Sequence, residues 1–185
     1  DGAGTVDVSI SAVAKIERDK QIIGYVGESG LDAAFADSGN SGATITLLAN
    51  VTRATTLAIK VNCTLDLNGH NIKSTNETCL SVYGSFAVTI QGEGEIISEQ
   101  SHALVCIGTV TLEGGTFTGN GENFAGVYAN ISSTLSVTGE NVTIQNTGGG
   151  YGLAVNDATS VQLSAGKYSG AAGAISIVSG SLTLG

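Results

Sequence analysis

The stretch Leu104-Val-Cys-Ile-Gly-Thr-Val-Thr-Leu-Glu-Gly-Gly-Thr-Phe-Thr-Gly119 decides the fold. Leu104 and Cys106 flank Val105, Val110 and Leu112 flank Thr111, and Phe117 stands between two threonines. Each is a short run with the period-two rhythm of a strand. Gly114-Gly115 then supplies a corner. Outward from here the same beats return. Leu104/Cys106 has counterparts at Leu57/Ile59, Leu80/Val82, Val127/Ala129, Leu153/Val155 and Ile175/Ile177, in steps of 23, 24, 23, 26 and 22 residues. A second apolar column advances with it, at Leu65/Leu67, Val88/Ile90, Val110/Leu112, Leu135/Val137, Val161/Leu163 and Leu182/Leu184. A glycine follows at Gly69, Gly92, Gly114, Gly139, Gly166 and Gly185, where a positive φ is expected. A weaker third column runs through Ile72, Ile96 or Ile97, Phe117, Val142/Ile144 and Tyr168.

Three short strands in every 22–26 residues make one coil of a solenoid. One coil cannot stand alone, because its inward side chains form a single thin layer and its backbone polar groups point along the axis. Stacking answers both needs. Each strand pairs in parallel with its equivalent ~4.8 Å away, and like side chains pile into interior files. One such file is expected through Leu67, Ile90, Leu112, Val137 and Leu163. Leucine-rich, hexapeptide and propeller repeats do not fit the spacing.

Composition agrees. Of 185 residues 27 are glycine, 12% are charged, 42% are hydrophobic, and proline, methionine and tryptophan are absent. So few straight-chain residues argue against a helical bundle, and the apolar fraction argues against disorder. Seven basic residues against sixteen acidic ones give a net charge of −9, which disfavours nucleic acid and anionic membrane surfaces as partners. No apolar run is long enough for membrane insertion. Cys63, Cys79 and Cys106 fit no zinc spacing and read as structural, with a bridge between two of them left open.

Residues 1–41 stand outside the repeat and are expected to form an N-terminal cap, with residues 42–185 forming the coils. Val6, Val8 and Ile10 alternate, and Ile22, Tyr25 and Val26 suggest a second short strand or bend. Leu31, Ala34 and Phe35 lie on one face of a short helix, with Ser29 as its N-cap and Gly39 at its end. At the other end the chain stops part-way through a coil, at Leu182-Thr-Leu-Gly185, so the expectation is a truncated piece of a longer chain or an end covered by a partner.

Ala43-Thr-Ile-Thr-Leu-Leu-Ala-Asn-Val-Thr52 and Thr64-Leu-Asp-Leu-Asn-Gly-His-Asn-Ile72 resemble the opening coils of right-handed parallel β-helix proteins of the pectate-lyase-like superfamily. The nearest likeness is to repeat domains of bacterial secreted and cell-surface proteins, over about residues 30–185. The resemblance implies an all-β, right-handed, single-stranded parallel β-helix with a helix-bearing cap, and an extracellular location. It does not fix an activity, since the superfamily mixes polysaccharide lyases, hydrolases, adhesins and stalks.

Catalysis on this fold would need carboxylates facing one bond across neighbouring coils. The outward residues of the second column, read as Asp66, Thr89, Thr111, Ser136, Gln162 and Thr183, offer one acid and no base. A regular threonine file is how some solenoids bind ice, and Asp66 and Gln162 break it. Glu93, Glu95, Glu113 and Glu140 gather near the second turn, as an acidic ridge or a solvated face. After Lys60 the only basic residues are Lys73 and Lys167, so a polyuronate would meet no clamp. His70 reads as a turn residue, and His102 as a loop residue near Glu99.

The reading that follows is a non-enzymatic extracellular module, a stalk or adhesin, with no cofactor and no metal. Its partners would be glycans or a host or cell-surface protein. If sugar is bound, Tyr128, Asn130, Asn156 and Asp157 are the candidates, on or just beyond the first strand of adjacent coils. The competing reading is a polysaccharide lyase or glycoside hydrolase using Glu93, Glu113 and Glu140.

Overall fold

The structure, a computed structural model, describes residues 11–18, 21–27, 29–39 and 42–185. The expected strand through Val6, Val8 and Ile10 lies outside these residues. From Ala43 onward the chain winds as a parallel β-solenoid of about six coils. A first stack holds Leu57–Ile59, Leu80–Val82, Leu104–Cys106 and Ala125–Ala129, then the leading halves of Tyr151–Leu163 and Gly173–Leu184. A second holds Ala43–Leu47, Cys63–Asp66, Ala87–Gln91, Thr109–Leu112 and Thr134–Val137, then the trailing halves of the same two long strands. The third runs Val51–Arg53, Ile72–Ser74, Glu95–Ser98, Thr116–Gly119, Thr143–Asn146 and Lys167–Gly170.

The first column is registered as its spacing implies, from Leu57/Ile59 through every rung to Ile175/Ile177. The second differs at one rung. Cys63 and Leu65, not Leu65 and Leu67, stand opposite Val88 and Ile90. The interior file is therefore Ile45, Leu65, Ile90, Leu112, Val137 and Leu163, each at most 4% exposed. Leu67 is also buried, but at the corner, where Gly94 and Gly115 of the next two coils leave it room. A Cβ on Gly115 would come within 2.7 Å of Leu67 Cδ1. Cys63, Leu65 and Leu67 all alternate in the sequence, and only the hydrogen-bond ladder selects two of the three. The same shift moves Thr64 into the outward file, giving Thr44, Thr64, Thr89, Thr111, Ser136, Gln162 and Thr183. Asp66 instead lies opposite Gln91, so Gln162 alone interrupts the hydroxyls.

All three cysteines are free and buried. Burial pushes the Cys63 and Cys79 thiols up to about 12 and Cys106 higher still. They pack as small apolar groups.

The first edge of the ladder is closed by an antiparallel hairpin. Ala12–Arg18 pairs with Gln21–Val26 on one side and with Ala43–Leu47 on the other, matching Ala14 to Leu47 and Ile16 to Ile45. The helix Gly30–Ser38 buries Leu31, Ala34 and Phe35 against the same core and ends at Gly39, with φ 58°. Ser29 does not cap it with its side chain. Its backbone sits at φ −89°, ψ 4°, outside the extended geometry that presents a capping oxygen, and its carbonyl accepts from Ala33 N. Among the described residues no helix is long and apolar enough to cross a membrane.

Candidate functional site

The outward file of the first stack reads Ala58, Ser81, Val105, Tyr128, Ala154 and Ser176 in successive coils. A phenol ring is followed by a methyl group and a hydroxymethyl group at ~4.8 Å intervals. The wall of the solenoid therefore drops sharply beyond Tyr128. His102 stacks on Tyr128, with ring centroids 4.9 Å apart and planes 12° from parallel. Phe124 meets His102 edge-on at 5.1 Å and 89°. Tyr151, at the entrance of the next strand, stays 36% exposed. These rings bound a groove of about 380 Å³ with Ala154 and Ser176 at its base and Glu122, Asn123 and Val178 along its lining.

Backbone bonds fix the rings in place. Ala125 N donates to His102 Nδ1 at 2.9 Å, so the neutral imidazole carries its proton on Nε2. Burial lowers the pKa of His102 and favours that neutral form. Tyr128 Oη accepts from Asn156 Nδ2 at 2.9 Å, and Asn156 Oδ1 accepts from Ser179 Oγ at 3.4 Å.

The loop that carries Phe124 and the loop that leads into Tyr151 grow from the corner after the third stack. There each coil presents a small or polar residue in one file: Ser74, Ser98, Gly119 and Asn146. Ser74 Oγ accepts from Glu77 N at 3.2 Å, and Ser98 Oγ accepts from Ser101 N at 2.9 Å. Asn146 does more. Its Nδ2 donates to Gly121 O and Phe124 O at 3.2 and 3.1 Å, and its Oδ1 accepts from Gly148 N and Gly150 N at 2.8 and 2.9 Å. All four hydrogen-bonding positions of one buried amide are used, and both loops flanking the groove hang from it.

No family model, curated protein or solved structure matches this chain.

Of the four residues expected from the sequence, the structure brings two together, Tyr128 and Asn156. Asn130 and Asp157 serve corners instead. Asn130 Oδ1 accepts from Ile131 N at 2.8 Å, and the exposed Asp157 turns the chain at φ 60°, its carbonyl accepting from Ser132 N. His102, Phe124 and Tyr151, which complete the groove, sit two or three residues ahead of Leu104, Val127 and Leu153, at an offset that varies from coil to coil and falls outside the apolar triplets. Glu99, the expected neighbour of His102, pairs with Lys73 at 2.6 Å.

The four glutamates of the second turn do not act as one ridge. Glu93 and Glu113 share a second cleft of about 300 Å³ with Asn141, floored by the glycines of two corners. Glu95 accepts a hydrogen bond from Thr118 on the adjacent strand. Glu140 is exposed and outside the cleft. Among the described residues no three His, Cys, Asp or Glu side chains are grouped to hold a metal ion.

Proposed function

We propose that the chain is a non-enzymatic, extracellular β-helix module of the pectate-lyase-like kind, part of a bacterial surface or secreted protein, that contacts carbohydrate through the Tyr128 groove. The observation that carries this reading is the step from Tyr128 down to Ala154 and Ser176, ringed by His102, Phe124 and Tyr151. Sugars present an apolar C–H face and a rim of hydroxyls. An aromatic wall with polar groups at its edge answers both, and 380 Å³ lies within the roughly 300–1,000 Å³ range of ligand sites. The rigid stack behind the groove supports a scaffold role, because each coil is held by its neighbours over the whole strand ladder. A glycan array probed with the wild-type domain and with Tyr128→Ala tests the reading. Binding that the substitution abolishes supports it; no binder above background removes the carbohydrate role.

A second reading, a lyase or hydrolase, draws on Glu93 and Glu113 lining one cleft from adjacent coils. Turnover of plant or host polysaccharides that Glu113→Gln abolishes would favour it over the first.

A further inference from the structure

We infer that the Tyr128 groove takes an uncharged pyranose, packed by its C–H face against the exposed aromatic wall, and rejects uronates. This rests on the reading of the groove as a carbohydrate site and specifies its ligand class.

Three features of the groove point the same way. The first is shape. Ala154 and Ser176 succeed Tyr128 on one file, so a flat ligand can lie against the phenol ring over two coils without displacing a side chain. His102 covers one face of Tyr128 at 4.9 Å and braces it against tilting.

Charge is the second. Among the described residues Glu122 is the only carboxylate in the lining, and no lysine or arginine accompanies it. The ion-paired Lys73 serves Glu99, and Lys60 lies over Tyr83, away from this groove. A uronate carboxylate would approach Glu122 on a chain of net charge −9 and lose water without gaining a cation.

Hydrogen-bonding direction is the third. Tyr128 Oη already accepts from Asn156, so its own proton is left to donate, and among the described residues it has no acceptor. His102 carries a second donor on Nε2. Glu122 supplies an acceptor and Asn123 both kinds of group. Hydroxyls, which donate and accept, suit this mixture. A carboxylate, which only accepts, leaves Glu122 facing another acceptor.

The test is a titration of the isotope-labelled domain with a neutral glucose- or galactose-based trisaccharide and, separately, with trigalacturonate, following the Tyr128, Tyr151 and Ala154 resonances. The neutral sugar is expected to shift these signals with an affinity at least tenfold above that of the uronate. Tyr128→Ala should abolish the shifts, whereas Tyr128→Phe, which keeps the ring, should retain a weakened response. Uronate binding as tight as the neutral sugar at these resonances overturns the ligand class and leaves the carbohydrate reading standing. Shifts that persist in Tyr128→Ala overturn the placement in this groove. If neither sugar moves any resonance, both the inference and the reading beneath it fall.

Discussion

Arg53 holds the carboxylate of Asp32 with both arms of its guanidinium, Nη1 to Oδ2 at 2.8 Å and Nη2 to Oδ1 at 3.0 Å, while its Nε donates to Thr55 O. The pair joins the helix Gly30–Ser38 to the first strand of the third stack. Arg53 is largely covered, its side chain 12% exposed, whereas Asp32 is 48% exposed, so water screens the attraction. Such pairs are worth about 0.2–1 kcal/mol, with the two-armed geometry favouring the upper end. Asp32→Asn is expected to lower the melting temperature by about 2–4 °C for a domain of this size, and by less in high salt. Melting curves at low and high ionic strength check this. A loss that salt leaves unchanged would mean the contact is not electrostatic.

Asn146 holds the two loops of the groove, and removing it orphans four backbone groups at once. At a net ~0.5–1.5 kcal/mol for each hydrogen bond, Asn146→Ala should cost about 3–5 kcal/mol. Asn146→Asp should be no better, because it keeps the acceptor but turns a charged oxygen toward the Gly121 and Phe124 carbonyls. Denaturant unfolding of both variants gives the numbers. If both fall within about 1 kcal/mol of wild type, the amide is not what organises these loops.

His102 gives the domain an acid limb. Its pKa in the folded chain is lowered by burial, so the unfolded chain takes up a proton first as pH falls. The stability it contributes is whole above the unfolded value of about 6.5 and is lost as pH drops from there through the folded value. Protonation also places a hydrogen on Nδ1, against the Ala125 N–H that now donates to it. Wild-type stability should therefore decline between pH 7 and pH 5 more steeply than that of His102→Gln. Parallel slopes for the two proteins over that interval would show that other groups set the acid limb.

The coil was legible because interior files demand like residues at like positions. Leu57, Leu80, Leu104, Val127, Leu153 and Ile175 declare their register with no knowledge of the third dimension. Where three apolar residues alternated, at Cys63, Leu65 and Leu67, periodicity alone left two registers open, and the backbone ladder chose between them. The site was less legible. Tyr128 and Asn156 lie on the strand column and could be read. His102 and Phe124 lie in loops, where no period fixes position. Their meeting depends on the buried amide of Asn146 and on the glycines that let neighbouring loops close together, a tertiary effect with no local signature.

The glycine column separates two causes that the sequence writes with the same letter. Gly69 sits at φ 79° with open space where a Cβ would go. Gly139 is not in the left-handed region, but a Cβ there would stand 2.0 Å from Glu113 O and 2.4 Å from Glu113 C, on the coil before it. Gly69→Ala should therefore cost only the left-handed strain, about 1–2 kcal/mol, and Gly69→Asn should recover part of it because asparagine tolerates that region. Gly139→Ala must force two coils apart along a ladder that cannot yield at one rung alone. Its cost should reach about 3 kcal/mol or more, beyond the range of most overpacked sites, and Gly139→Asn should recover nothing. Urea midpoints for the four variants rank the two effects. If Gly139→Ala proves milder than Gly69→Ala, then the coils approach each other less closely at this corner than the backbone distances require.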